Sequence, residues 1–136
     1  MRHKVIWPAL PLLLLVAGCG GASRRVLPVV SVTERDFAIK APHEVPAGDV
    51  TFSLHNLGPV SHELLIVHAG KTPLPLRVDG FTIDEDALQH RLVVAIEPAG
   101  PGTRDVVVHL TPGRYILLCN MAGHAASGMQ ASFRAR

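Results

Sequence analysis

Three side chains with soft donor atoms lie close together near the end of the chain: Cys119, His124 and Met129, spaced C-x4-H-x4-M. A thiolate, an imidazole and a thioether on one loop form a ligand set for a soft metal. A second imidazole would complete a trigonal His2Cys site with a weak axial Met, an arrangement that suits copper in electron transfer. Each residue alone has a plainer reading: an isolated cysteine is most often buried and inert, and a lone His or Met is usually surface or core. The context argues otherwise. Cys119 ends an apolar run, Tyr115 to Cys119, and Gly123 and Gly128 directly precede His124 and Met129. Glycines let a loop turn tightly and carry its side chains inward.

The second imidazole must come from elsewhere. Of eight histidines, His3 lies in the N-terminal leader. His62 is preferred, because it follows the Gly58-Pro59 loop and opens the apolar run Glu63 to His68, which puts it at the end of a strand. His55 remains the second candidate, close to the same loop but on an alternating strand. A metal site needs its ligands gathered at one pole of a rigid scaffold. His43, His68, His90 and His109 have no partners in sequence and read as surface or satisfied residues.

The scaffold reads as all-β. Residues 26–33 are β-branched and are expected to form a first strand at a sheet edge, since Pro28 cannot donate to a ladder. Phe37, Ile39 and Val45 read as continuing an extended segment. Pro46 to Asp49 is a turn. Val50 to His55 alternates, with Val50, Phe52 and Leu54 on one face. Residues 69–80 hold two prolines and two glycines and read as a long connection. Thr82 to Glu85 fits a capping box ahead of a two-turn helix over Ile83 to His90. Leu92 to Ile96 is a further strand, Glu97 to Gly102 a turn cluster, and Arg104 to Leu110 a strand. Along the run to Cys119, period two places Tyr115, Leu117 and Cys119 on one face. Gln130 to Arg134 can close the fold. About seven short strands with one small helix predict an antiparallel Greek-key β-sandwich, whose loops cluster at two ends. Loops 56–62 and 119–129 could then meet.

The leader sets the compartment. Arg2 and Lys4 precede an apolar stretch, Val5 to Val16, and small residues follow up to Cys19. The stretch is too short for a membrane span and reads as a secretory signal. Its end, Val16-Ala17-Gly18-Cys19, resembles a bacterial lipobox. That resemblance implies a signal peptide over 1–18, a lipid on Cys19 and anchoring to a membrane of the bacterial cell envelope. A tether over 19–25 and one domain over 26–136 complete the layout. Only two cysteines are present. With Cys19 lipidated, Cys119 is a lone thiol in an oxidising compartment, and metal ligation gives it a reason to be there.

Charge excludes other classes. The formal net charge is +2. Removing Arg2 and Lys4 from thirteen basic residues leaves eleven against eleven acidic ones, a balance of zero. No basic stripe suggests a nucleic acid. No catalytic triad, phosphate loop or carboxylate pair suggests an enzyme. Asp84, Glu85 and Asp86 fit the negative first turn of the short helix.

Taken together, Pro46 to Gly48, Asn56 to Gly58 with His62 downstream, and Leu110 to Tyr115 leading to Cys119, His124 and Met129 resemble the cupredoxins, the small blue-copper proteins. The resemblance spans most of residues 30–136, and the loop spacing is most similar to rusticyanin and sulfocyanin. It implies one type 1 copper held by His62, Cys119, His124 and axial Met129. It also implies one-electron transfer with redox proteins that dock at the copper end of a monomer. One position departs from the pattern: Glu63 stands where many cupredoxins carry a small hydrogen-bonding residue after the first histidine. Asn120 is the candidate to supply part of that bracing. Two function classes follow: an electron carrier, or a copper carrier or buffer for delivery or resistance. The closed ligand set, and only two methionines beyond Met1, favour the electron carrier.

Overall fold

The computed structural model describes residues 26–136. The signal segment 1–18, the tether 19–25 and Cys19 lie outside the described residues. Nine strands are present among those described, β1 (Val29–Arg35), β2 (Ala38–Lys40), β3 (Glu44–Val45), β4 (Gly48–Asn56), β5 (His62–His68), β6 (Leu92–Ala99), β7 (Gly102–Leu110), β8 (Gly113–Leu118) and β9 (Gln130–Ala135), with one helix, α1 (Glu85–Leu88). They form two sheets, ordered β2-β1-β4-β7 and β3-β9-β8-β5-β6. The chain crosses repeatedly between the two, as expected of a Greek-key β-sandwich. Most ladders are antiparallel, but β1 runs parallel to β4 and β3 parallel to β9.

Alternation builds the core. Val50, Phe52 and Leu54 of β4 point inward and meet Leu64, Ile66, Tyr115, Leu117 and Phe133 from the facing sheet. The opposite faces of β5 and β8 are also covered. Leu65, Val67 and Leu118 pack with Ile83 and Leu88 from the long connection and α1. This explains why Leu64 to Val67 is an unbroken apolar run: a strand buried on both faces cannot alternate.

The two poles of the sandwich follow from the register. Gly48 pairs with Leu110, and Gly113 with Ala135, at one end. Asn56 pairs with Gly102, and Leu65 with Leu118, toward the other. The ends of β1, β4 and β8 and the start of β5 therefore share one pole, while Val29 enters the fold at the opposite one.

Several expectations need correction. β1 is an inner strand, because β2 folds back along it and pairs Thr33 with Lys40 and Arg35 with Ala38. Pro28 does not interrupt the ladder: it precedes the strand, and its carbonyl accepts from the Thr51 N–H at 2.8 Å. The segment after β1 is thus a tight hairpin at Asp36 and Phe37. Phe37 sits at φ 60°, a left-handed conformation that costs a bulky residue about 1–3 kcal/mol and persists only where its surroundings enforce it. Strand β6 runs on through Pro98 to Ala99, tolerated because β6 is an edge. The helix is shorter than expected and is capped by Asp84, whose carboxylate accepts from the Ala87 N–H. Thr82 does not serve as the cap, since its hydroxyl and N–H are both bonded to Asp79.

Candidate metal centre

The pole where β4 and β8 end and β5 begins gathers the donor side chains. His62 is the first residue of β5, and Cys119 directly follows β8. His124 lies in the turn-rich segment between β8 and β9. One ligand atom from each of His62, Cys119 and His124 lies within 4.8 Å of the others. Cys119 Sγ is 3.8 Å from His62 Nδ1 and 3.4 Å from His124 Nδ1. Metal–thiolate and metal–imidazole bonds of about 2.3 and 2.0 Å, at tetrahedral to trigonal angles, separate S from N by about 3.5–3.8 Å. The three donors are therefore spaced as the ligands of one ion. His62 and Cys119 are fully enclosed and His124 is half-buried.

The loop is closed by backbone bonds. The Cys119 N–H donates to the Met129 carbonyl at 3.1 Å, and the Met129 N–H to the His124 carbonyl at 3.0 Å. Met129 is fully buried. Gly123 and Gly128 both have positive φ, 81° and 93°, so glycine supplies the left-handed turns that bring His124 and Met129 back over the strand end.

Burial dominates the electrostatics of the donors. Burial lowers the pKa of His62, as does the neighbouring His124, keeping its imidazole in the neutral, ligating form. Burial pushes the Cys119 thiol up, while the Met121 and Glu63 backbone N–H groups beside it favour the thiolate. Copper suits this set: the soft sulfur donors accept Cu(I) as well as Cu(II), and imidazole serves both states.

The support around the donors was only partly foreseen. Asn120 does brace the site, though not toward His62. Its Oδ1 accepts from the Ile83 N–H at 2.7 Å, and its Nδ2 donates to Ile83 O and Glu85 Oε1. It ties the end of β8 to the start of α1. On the other side, Asn56 pins loop 56–62 by donating to the Val60 and Ala99 carbonyls and accepting from the Gly58 N–H. Arg104 of β7 donates to the carbonyls of His62 and Glu97. Glu34, near the end of β1, is fully buried and neither carboxylate oxygen has a hydrogen-bond partner. Burial raises its pKa, with Arg104 opposing. The remaining histidines are placed elsewhere. His55 meets Thr103 Oγ1 at 3.0 Å, His68 packs on Tyr115 and His109 pairs with Asp49. His43 and His90 are exposed.

Two residues of the β1–β2 turn also reach the site, and neither was marked in the sequence reading. Asp36 Oδ1 lies 3.5 Å from His62 Nε2. The Phe37 ring meets the His124 ring edge-on, with centroids 5.1 Å apart. The one local signal was an Arg35-Asp36 break in the apolar alternation, a turn composition.

The solved structure of auracyanin from Roseiflexus castenholzii is 21% identical, covering 79% of this chain and 96% of its own with a TM-score of 0.58. Auracyanin A of Chloroflexus aurantiacus, described as a blue copper protein, is 19% identical over 79% of this chain and 98% of its own, with a TM-score of 0.58. Rusticyanin from Thiobacillus ferrooxidans is 21% identical over 79% of this chain and 77% of its own, with a TM-score of 0.51. These similarities establish the shared fold. No curated protein sequence matches the chain. The sulfocyanin (SoxE) domain family matches residues 43–135, from just ahead of β3 to the last residue of β9. With that match over more than half its length, and a His-Cys-His cluster spaced for one copper ion, the chain belongs to the sulfocyanin family of cupredoxins.

Proposed function

We propose that this protein is a one-electron carrier whose type 1 copper is held by His62 Nδ1, Cys119 Sγ and His124 Nδ1, with the Met129 thioether as axial donor. The observation that carries the reading is the spacing of the three donors, within 4.8 Å at one pole of a stiff sandwich. Copper supplies the change between Cu(I) and Cu(II). The chain's part is to hold the donors nearly still, so that little ligand movement accompanies the electron. His62 and Cys119 belong to hydrogen-bonded strand ends, and the loop bearing His124 and Met129 is closed on Cys119 by backbone bonds. The centre is buried except at His124, which makes that ring the route toward a docked redox partner. Leu57 and Val60, in the loop leading to His62, and Phe37, whose ring meets His124, are exposed, apolar groups suited to brief contacts.

The lipobox-like segment supports export, cleavage after residue 18 and a lipid on Cys19, with 19–25 as tether and 26–136 as a monomeric domain at the bacterial cell envelope. No helix among the described residues is long and apolar enough to cross a membrane. Four protein donors would fill the coordination of one copper, which supports a carrier over an enzyme.

The test is the visible spectrum of residues 20–136 with one equivalent of Cu(II), followed by ascorbate. An intense thiolate-to-copper band that bleaches on reduction and returns on reoxidation is expected, and Cys119→Ser should abolish it. A pale spectrum, or copper lost on reduction, would replace electron transfer with metal carriage or buffering.

A further inference from the structure

The His62 ring has two faces of chemistry. Nδ1 points toward Cys119 Sγ, and Nε2 points away from it. Nε2 is buried and has no hydrogen-bond partner of good geometry. A buried imidazole N–H left unpaired is unfavourable, and a metal-bound histidine almost always donates its second nitrogen to an acceptor. The nearest charged acceptor is Asp36 Oδ1 at 3.5 Å, slightly too long for a full hydrogen bond.

The surroundings favour this approach. Gly58 lies directly against the pair: a Cβ placed there would fall 2.6 Å from Asp36 Oδ1 and 3.3 Å from His62 Nε2. The loop leading to His62 thus leaves room for a carboxylate from another strand. The next residue, Phe37, holds a left-handed backbone conformation and lays its ring against His124. One two-residue turn touches both histidines of the centre, which belong to different loops. Arg104 of β7 is engaged elsewhere, donating to the backbone carbonyls of His62 and Glu97.

We propose that the β1–β2 turn is a third support of the copper centre: Asp36 accepts the His62 Nε2–H, fixing the tautomer that presents Nδ1, while Phe37 steadies His124. Asp36 is a positioning residue, and its negative charge also favours Cu(II) over Cu(I) through the imidazole. This rests on His62 being a ligand, as proposed above.

The test uses the full chain loaded with copper. Asp36→Asn keeps the size and an acceptor oxygen but removes the charge. It should retain the intense thiolate band while shifting the Cu(II)/Cu(I) equilibrium toward Cu(I) by about tenfold, a rise of about 59 mV. Asp36→Glu restores the charge and should recover most of the shift. Asp36→Ala should speed solvent exchange of the His62 Nε2–H in the Cu(I) protein, read by NMR, whereas Asp36→Asn keeps it slow. An unchanged potential in Asp36→Asn, or an unchanged exchange rate in Asp36→Ala, overturns the proposal. Absence of the intense band in the parent protein would instead refute the ligand assignment itself, so the two failures are distinct.

Discussion

Asn120 offers a direct measure of how firmly the copper pole is tied to the rest of the fold. It is buried, follows Cys119, and makes all its side-chain bonds to a segment more than thirty residues away. In Asn120→Ala the Ile83 N–H loses its acceptor. Ile83 is only 3% exposed, so water cannot readily replace it, and an unsatisfied buried donor costs about 1–3 kcal/mol. The two bonds from Nδ2, to Ile83 O and Glu85 Oε1, add about 1 kcal/mol once solvent access to Glu85 is allowed for. The expected loss is about 2–4 kcal/mol. At about 4 °C per kcal/mol for a domain of this size, the melting temperature should fall by about 8–16 °C. The measurement is urea and thermal unfolding of the copper-free protein, since bound metal would mask part of the change. Equal urea slopes for parent and variant would show that stability alone has changed. A loss below about 1 kcal/mol would refute the reasoning, because Ile83 would then have an alternative acceptor and Asn120 would not be the tie.

Three further outcomes are expected. Met129→Leu should keep copper and colour but raise the potential by about 60–120 mV, one to two tenfold steps in the equilibrium, because Leu offers no lone pair and losing an axial donor costs the more highly charged Cu(II) more than Cu(I); an equal or lower value in voltammetry would remove Met129 as axial donor. Copper uptake should release a proton from Cys119, whose thiol is pushed up by burial, so apparent Cu(II) affinity should rise about tenfold per pH unit near neutrality; calorimetry in buffers of differing ionisation enthalpy would show no proton release if the thiol were already ionised. Glu34 has its folded pKa raised by burial, so its favourable contribution is fully present below the ordinary carboxylate pKa and is lost as pH rises through the folded value. Glu34→Gln should therefore gain stability over the parent at pH 7–8 and little at pH 4, and an equal gain at both values in urea unfolding would contradict the burial argument.

The ligand loop was legible because its signal is local. Cys119, His124 and Met129 share one short segment, and the glycines that turn it are adjacent in sequence. His62 was preferred to His55 from its place at a strand end, and it is His62 that joins the cluster. The support around the ligands was less legible because it is non-local. The polar break at Arg35-Asp36 marks a turn, but it does not reveal which strand β2 pairs with, or that β1 lies parallel to β4 and so ends at the copper pole. The edge reading of β1 failed for that reason: Pro28 excludes a ladder donor at one position, but says nothing of what covers the strand beyond it. The short helix starts later than expected because Asp79 takes the Thr82 hydroxyl and N–H, and Asp84 supplies the cap instead. Asn120 was marked as a brace, yet its partner could not be read, since Ile83 approaches only once the long connection packs over β5 and β8.

The entry of the chain at the pole opposite the copper has a consequence for reach. With the lipid on Cys19 that we propose, the seven residues 19–25 allow the base of the domain to rise at most about 25 Å from the bilayer. The nine-residue strand β4 separates base from copper by roughly 30 Å. The domain then stands on a short leash with its redox end pointing outward. A membrane-bound acceptor must carry its own cofactor in a headpiece at similar height, unless the domain tips over on its side. Lengthening or shortening the leash would tune which of those encounters occurs, with no change at the metal.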